Sequence, residues 1–186
     1  KICVERGIML SGMKRDQTEA SFSNQNLQPA DAILIGSDLQ FMAVLTRLDL
    51  GGNDIGDEGA KAIAEALKVN LVLTNLWLDY NSIGDNGAQA IAEALKVNLV
   101  LTELSLWNNS IGDDRAKAIA EALKVNGVLA KLEIRANSMG DAGEKAVRDA
   151  VKDRSGFAAT VQRISEDDCL VAQRFFWYPD LQDEGK

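Results

Sequence analysis

The 186-residue chain contains no histidine. That absence removes Ser-His-Asp and Cys-His catalytic arrangements and every zinc site that uses an imidazole. Cysteine is almost as scarce: Cys3 and Cys169 are the two present, at opposite ends of the sequence. They are too far apart to bridge in an elongated chain and fit a reduced, intracellular setting, the cytoplasm by expectation. No GxGxxG or GKS/T phosphate loop occurs; Gly51-Gly52 is a turn pair and no more. No apolar run reaches the ~18 residues that a membrane helix needs, so direct membrane insertion is not expected. With 28 acidic against 20 basic residues the formal charge is −8. No face gathers lysine and arginine, which argues against a nucleic-acid partner. The chain opens on Lys1 rather than Met, the mark of a processed product or a piece of something longer, so a targeting signal would lie out of view.

What is present is repetition. The nonapeptide AIAEALKVN at Ala62–Asn70 recurs letter for letter at Ala90–Asn98 and Ala118–Asn126, each copy 28 positions after the last. A period of this size means a stack of one supersecondary unit rather than an enzyme core around one pocket. The unit Leu73–Val100 reads LTNLWLDYNSIGDNGAQAIAEALKVNLV. Its LxxLxLxxNxI followed by a helical run resembles the leucine-rich repeat, in the long class of ribonuclease inhibitor and the sensor domains of NOD-like receptors. The frame holds over 45–72, 73–100, 101–128 and 129–156, with a degenerate first copy at 17–44 in which Ala20, Phe22 and Leu27 stand for Leu48, Leu50 and Ile55. The resemblance implies a right-handed α/β solenoid of about five repeats, with a parallel concave sheet and convex helices. Residues 1–16 are then an N-terminal cap or the remnant of a preceding repeat, and 157–186 a C-terminal cap with an aromatic and acidic tail.

Each feature of the unit has a physical role. In NLWLD the period is two, so Leu76 and Leu78 point inward while Asn75, Trp77 and Asp79 face out. Asp85 is placed to cap the helix that follows. Ala88, Ile91, Ala92 and Leu95 form one apolar stripe, opposite Gln89, Glu93 and Lys96. Lysines of the convex helices lie three or four positions from glutamates, a solvated pattern. Asn53, Asn81, Asn109 and Asn137 resemble the family's asparagine ladder, whose amides satisfy backbone groups at the bend after each strand. The carboxylates Asp57, Glu58, Asp85, Asp113, Asp114 and Asp141 recur at helix starts, where capping and the helix dipole account for them without calcium. No cofactor, metal or catalytic residue is expected.

The candidate site is the concave face. Its outward positions run Arg47, Asp49, Gly51; Asn75, Trp77, Asp79; Glu103, Ser105, Trp107; Lys131, Glu133, Arg135. Trp77 and Trp107 form a diagonal pair on neighbouring strands, about 7–8 Å apart at Cα by strand geometry. Tyr80 adds a third aromatic, and Asp79, Glu103, Glu133 and Arg135 ring them, the composition of an interaction hot spot.

The ends differ from the middle. Ile2, Val4, Ile8, Met9 and Met13 form an irregular apolar run. After Gly156 the period fails; Phe157–Val161 reads as a last edge strand, and Ser165–Phe175 as a short helix opened by a capping box. Phe175, Phe176, Trp177 and Tyr178 then form the densest apolar spot, which either caps the stack or docks into a partner. The expected function is a non-enzymatic protein-interaction module or complex subunit, binding a protein through Trp77, Asp79, Tyr80, Glu103, Trp107, Glu133 and Arg135, through Phe176, Trp177 and Tyr178, or both. The alternative is a regulatory repeat region of a larger NOD-like or GTPase-linked protein.

Overall fold

The computed structural model describes residues 9–161. Strands and helices alternate strictly. The strands are β1 (Glu19–Ser21), β2 (Arg47–Asp49), β3 (Asn75–Trp77), β4 (Glu103–Ser105), β5 (Lys131–Glu133) and β6 (Ala158–Thr160). Between them run helices α1 (Pro29–Leu39), α2 (Gly56–Leu67), α3 (Asp85–Val97), α4 (Asp113–Val125) and α5 (Asp141–Val151). The strands pair in parallel in chain order, so the sheet is open and grows by one strand per repeat. Leu48 pairs with Leu76, Leu76 with Leu104 and Leu104 with Leu132, each step 28 residues. The last step, Leu132 to Ala159, is 27. The alternation, the parallel sheet and the edge strand within 157–161 agree with the α/β solenoid expected from the repeat.

The core lies between sheet and helices. In the unit from Leu73, the side chains of Leu73, Leu76, Leu78, Ile83, Ile91 and Leu95 are fully buried, each stabilising the fold by roughly 1.5–3 kcal/mol. Small residues set the distance between successive helices. A Cβ built on Gly87 would stand 2.9 Å from the Ala60 Cβ, and one on Gly143 3.0 Å from the Ala116 Cβ. Larger side chains there would push the helices apart. At the N-terminal end Met13 is buried and Met9 packs against the same core, while Ser11 donates from N–H and Oγ to the Asp38 carboxylate, both at 2.7 Å. Ile2, Val4 and Ile8, and the helix and aromatic run expected over 165–178, lie outside the described residues.

Hydrogen bonds from side chain to backbone tie each repeat to the one before. Asn109 Nδ2 donates to Leu78 O at 2.9 Å, one repeat earlier, and to Leu106 O at 3.1 Å in its own strand region. Its Oδ1 accepts from Asn81 N at 3.1 Å and Ile83 N at 2.9 Å. Asn53, Asn81 and Asn137 repeat this arrangement. A second ladder occupies the helix ends. Asn98 Nδ2 donates to Leu67 O (2.7 Å), and its Oδ1 accepts from Val100 N (3.0 Å) and Leu101 N (2.8 Å); Asn70 and Asn126 do the same. In the final repeat Arg154 takes the asparagine's place, its guanidinium donating to Leu123 O and Leu129 O. Thr46, Thr74 and Thr102 add a third row, each hydroxyl donating to the threonine carbonyl 28 residues earlier.

One expectation is corrected. Asp85 does not cap its own helix, whose N-cap is Gly84 with no side-chain bond. Its Oδ1 instead accepts from Gly112 N at 3.0 Å, at the start of the next helix. Likewise Asp57 Oδ1 holds Gly84 N and Gly87 N, and Asp113 Oδ1 holds Gly140 N and Gly143 N, all at 2.7–2.8 Å. Helix stacking brings each carboxylate, already inside its own first turn, to the free N–H groups of its neighbour, where charge and dipole also agree.

The buried amides carry a direct consequence. Asn98→Ala leaves two N–H and two C=O groups without partners and should lower the unfolding free energy by about 3 kcal/mol. The neighbouring change Val97→Ala, at an exposed site, should stay within about 0.5 kcal/mol. Urea unfolding of the two variants compares them, and equal midpoints would remove the ladder from the account of stability.

Candidate functional site

The sheet face turned away from the helices carries the candidate residues because strand side chains alternate. Register sets Asp49, Trp77, Ser105 and Glu133 side by side on β2 to β5. Two positions further along lie Gly51, Asp79, Trp107 and Arg135, just past the strand ends. After them the chain turns in the left-handed region at one column of the repeat: Asn24 (φ 56°), Gly52 (69°), Tyr80 (51°), Asn108 (51°) and Ala136 (54°). Glycine and asparagine take this conformation readily; for the bulky Tyr80 it costs about 1–2 kcal/mol. Tyr80 is held there by its N–H on Trp107 O at 2.9 Å and its C=O under Asn53 N at 3.1 Å.

Where the glycine pair stands, the face opens into a hollow. Its volume is about 190 Å³ and its lining includes Asp49, Gly51, Gly52, Trp77, Asp79, Tyr80 and Trp107. Gly51 and Gly52 occupy the positions that Asp79 and Tyr80 fill one repeat later, so two missing side chains leave the space. A side chain at Gly52 would have to displace the exposed Asn24 amide, whose oxygen lies 2.1 Å from where its Cβ would stand, and would be held at a positive φ. The hollow thus unites four of the expected site residues, Trp77, Asp79, Tyr80 and Trp107. It adds Asp49 and the glycine pair, which outward alternation alone did not single out as a cavity; the departure from Asp-Tyr and Trp-Asn at this turn was the available signal.

The aromatic contacts differ in detail from a simple tryptophan pair. The Trp107 ring meets Tyr80 edge-on, with centroids 4.9 Å apart and planes at 69°. Trp77 carries the Arg47 guanidinium 5.3 Å from its ring centre, and Arg47 also faces Glu19 at 3.5 Å. Both tryptophans are half-buried rather than free on the surface. The remaining polar residues form a rim. Glu103 accepts from Asn75 Nδ2 at 2.9 Å and pairs with Lys131. Glu133 takes the Arg135 Nε at 2.8 Å and the Arg135 backbone N–H at 3.1 Å. Phe176, Trp177 and Tyr178 lie outside the described residues. Among the described residues no three Cys, Asp or Glu side chains stand together in a way that could hold a metal ion.

Asp79 is the electrostatic centre of the hollow. Its Oδ1 accepts the Ser105 hydroxyl and, at 3.2 Å, the Trp107 backbone N–H. Both bonds favour the ionised form, yet burial outweighs them and raises its pKa to about 6 from the ordinary 3.8. The charges that reach it, Asp49 and Glu133, are negative and push the same way.

The comparisons with known proteins fit this architecture. A family model described as Leucine Rich repeat matches residues 42–64 and 69–92. Among solved structures, the chain is similar to Leiomodin-1 Actin-Binding Site 2, with 28% identity, a TM-score of 0.67, and coverage of 82% of this chain and 88% of that one. It is also similar in fold to the tropomodulin C-terminal domain of Caenorhabditis elegans, with 15% identity, a TM-score of 0.65, and coverage of 81% and 90%. No curated protein matches the chain in sequence.

The raised pKa of Asp79 has a definite sign for stability. The folded state holds the Asp79 proton more tightly than the unfolded chain, so its contribution weakens the fold as pH rises from 3.8 through about 6. Above that range the penalty is up to about 2–3 kcal/mol. Asp79→Asn keeps an acceptor for Ser105 and Trp107 without the charge, so it should raise the melting temperature at pH 7.5 and leave it nearly unchanged near pH 4. Thermal unfolding of the two proteins at both pH values reads this; a variant less stable at pH 7.5 would contradict the assignment.

Proposed function

We propose that the chain, whose repeats match a leucine-rich-repeat family model over residues 42–64 and 69–92, is a non-enzymatic binding module that holds a protein partner on its open sheet face, at the hollow between Trp77, Asp79, Tyr80 and Trp107. The observation that carries this reading is a set of three half-buried aromatics around an open cavity, on a sheet face that none of the described helices covers. Tryptophan, tyrosine and arginine dominate binding energy at such places, and the paired Glu103, Lys131, Glu133 and Arg135 supply a polar rim. A backbone held in the left-handed region at Tyr80 and a charge kept at Asp79 against desolvation both work against stability, the usual mark of residues retained for function.

Enzymatic readings find little support in the side chains. The chain has no histidine and no phosphate loop. The helix-start carboxylates Asp57, Asp85 and Asp113 are already engaged by backbone N–H groups. The aromatic run Phe176, Trp177 and Tyr178 is proposed as a second contact with the same partner. Likeness to an actin-binding site of leiomodin-1 makes actin the first partner to test.

Co-sedimentation with actin filaments and capture of actin monomer test the proposal. Trp77→Ala and Trp107→Ala should each weaken binding by about 2 kcal/mol, close to thirtyfold, with far-ultraviolet circular dichroism unchanged. If actin is not retained, capture from the source cell followed by cross-linking supplies the partner, and the same two variants are compared against wild type. Equal capture by wild type and both variants would overturn the role of the hollow.

A further inference from the structure

The hollow carries more information than its aromatic walls alone. Among the described residues its lining contains two carboxylates, Asp49 and Asp79, and neither lysine nor arginine. Both carboxylates are fixed in place. Asp49 Oδ1 accepts from Gly51 N at 2.9 Å and Oδ2 from Ser21 Oγ at 3.2 Å, while Asp79 is held by Ser105 and Trp107. Orientation is therefore settled before any ligand arrives, which removes part of the entropy loss on binding. Of the charged groups that face Asp79, Asp49 and Glu133 are both acidic, and Glu133 is itself engaged by Arg135. The rings of Trp77, Tyr80 and Trp107 complete the wall, and Trp77 already carries one guanidinium, that of Arg47.

We infer that the hollow receives a basic side chain of the partner, a guanidinium or ammonium group seated among Trp77, Tyr80 and Trp107 and facing Asp49 and Asp79. The inference rests on the reading of the hollow as the partner-binding site. Size agrees: about 190 Å³ holds several waters at the ~30 Å³ of liquid volume each occupies, or one side-chain head group. Chemistry agrees as well. Aromatic faces attract cations through their quadrupole, and a carboxylate in a partly desolvated site strengthens the pairing. The ionised Asp79 is otherwise unexplained. Its hydrogen bonds to Ser105 and Trp107 need an acceptor oxygen, which asparagine also offers, so the negative charge answers to something that comes from outside. An apolar anchor would be better served by a neutral residue, since it would bury the charge without a partner.

Binding of a cation should then follow the ionisation of Asp79, growing stronger from pH 5 to pH 7.5. The test uses the full chain with three small probes, N-acetyl-arginine methylamide, N-acetyl-lysine methylamide and the uncharged N-acetyl-citrulline methylamide, followed by the indole N–H signals in NMR. The expected result is saturable displacement of the Trp77 and Trp107 signals by the arginine and lysine probes, with affinity about three- to tenfold above that of citrulline. Asp79→Asn should remove both the preference and its pH dependence. Should that variant be misfolded by circular dichroism, Asp49→Asn takes its place and should lower the preference in the same direction. Equal response to arginine and citrulline, or no displacement at all, overturns the inference. Partner capture separates the two levels: loss in Trp77→Ala with full retention in Asp79→Asn and Asp49→Asn overturns the basic-side-chain inference alone, whereas retention in Trp77→Ala and Trp107→Ala overturns the role of the hollow itself.

Discussion

Everything in this molecule depends on the asparagine amide as a cross-link between successive repeats. One side chain offers two donors and an acceptor with two lone pairs, enough to satisfy a bend in its own repeat and a carbonyl in the previous one. Asn109 does this after the strand and Asn98 after the helix, so the central repeats are each fastened at two corners. Neither bend could satisfy its backbone groups alone in a water-free core. A single repeat is therefore not a stable unit, and the stack gains its order from nearest neighbours. The cross-repeat carboxylates Asp57, Asp85 and Asp113 extend the same logic to the helix starts.

A frame held in this way rests chiefly on groups beneath the outer sheet face. Leu48, Leu76, Leu104 and Leu132 are buried beneath it, and the register that aligns them also aligns whatever lies above. The face can vary without disturbing the stack. Here it varies at two adjoining places, a glycine pair in one repeat and tryptophans in the next two, and the hollow lies at their junction.

The hollow also shows how local disadvantages accumulate where a surface is specialised. Tyr80 is held with φ 51°, in a column of the repeat that is elsewhere filled by the smaller Asn24, Gly52, Asn108 and Ala136. Asp79 is kept partly desolvated beside other acids, and its pKa moves to about 6. The stack tolerates both because its stability is spread over many buried leucines and amides rather than concentrated at this face.

By itself the sequence determined the period of 28, the inward leucines and the apolar stripe of each helix, since these follow from spacing along the chain, while the role of Asn53, Asn81, Asn109 and Asn137 came from the resemblance of that column to the asparagine ladder of leucine-rich repeats. The sequence also placed Trp77, Asp79 and Trp107 on one face, because alternation along a strand is a local rule, with Tyr80 next to them at the end of the strand. Only the tertiary structure decided what each group meets. The terminal asparagine of AIAEALKVN was visible as a letter, but its carbonyl partner lies 31 residues earlier, across a repeat boundary. Asp85 looked like a cap for its own helix and serves the next one, as the stacking of helices brings it there. Gly51-Gly52 was a turn until the neighbouring strands surrounded the space it leaves. The charge of Asp79 depends in the same way on which atoms exclude water from it, a property of packing that no spacing along the chain contains.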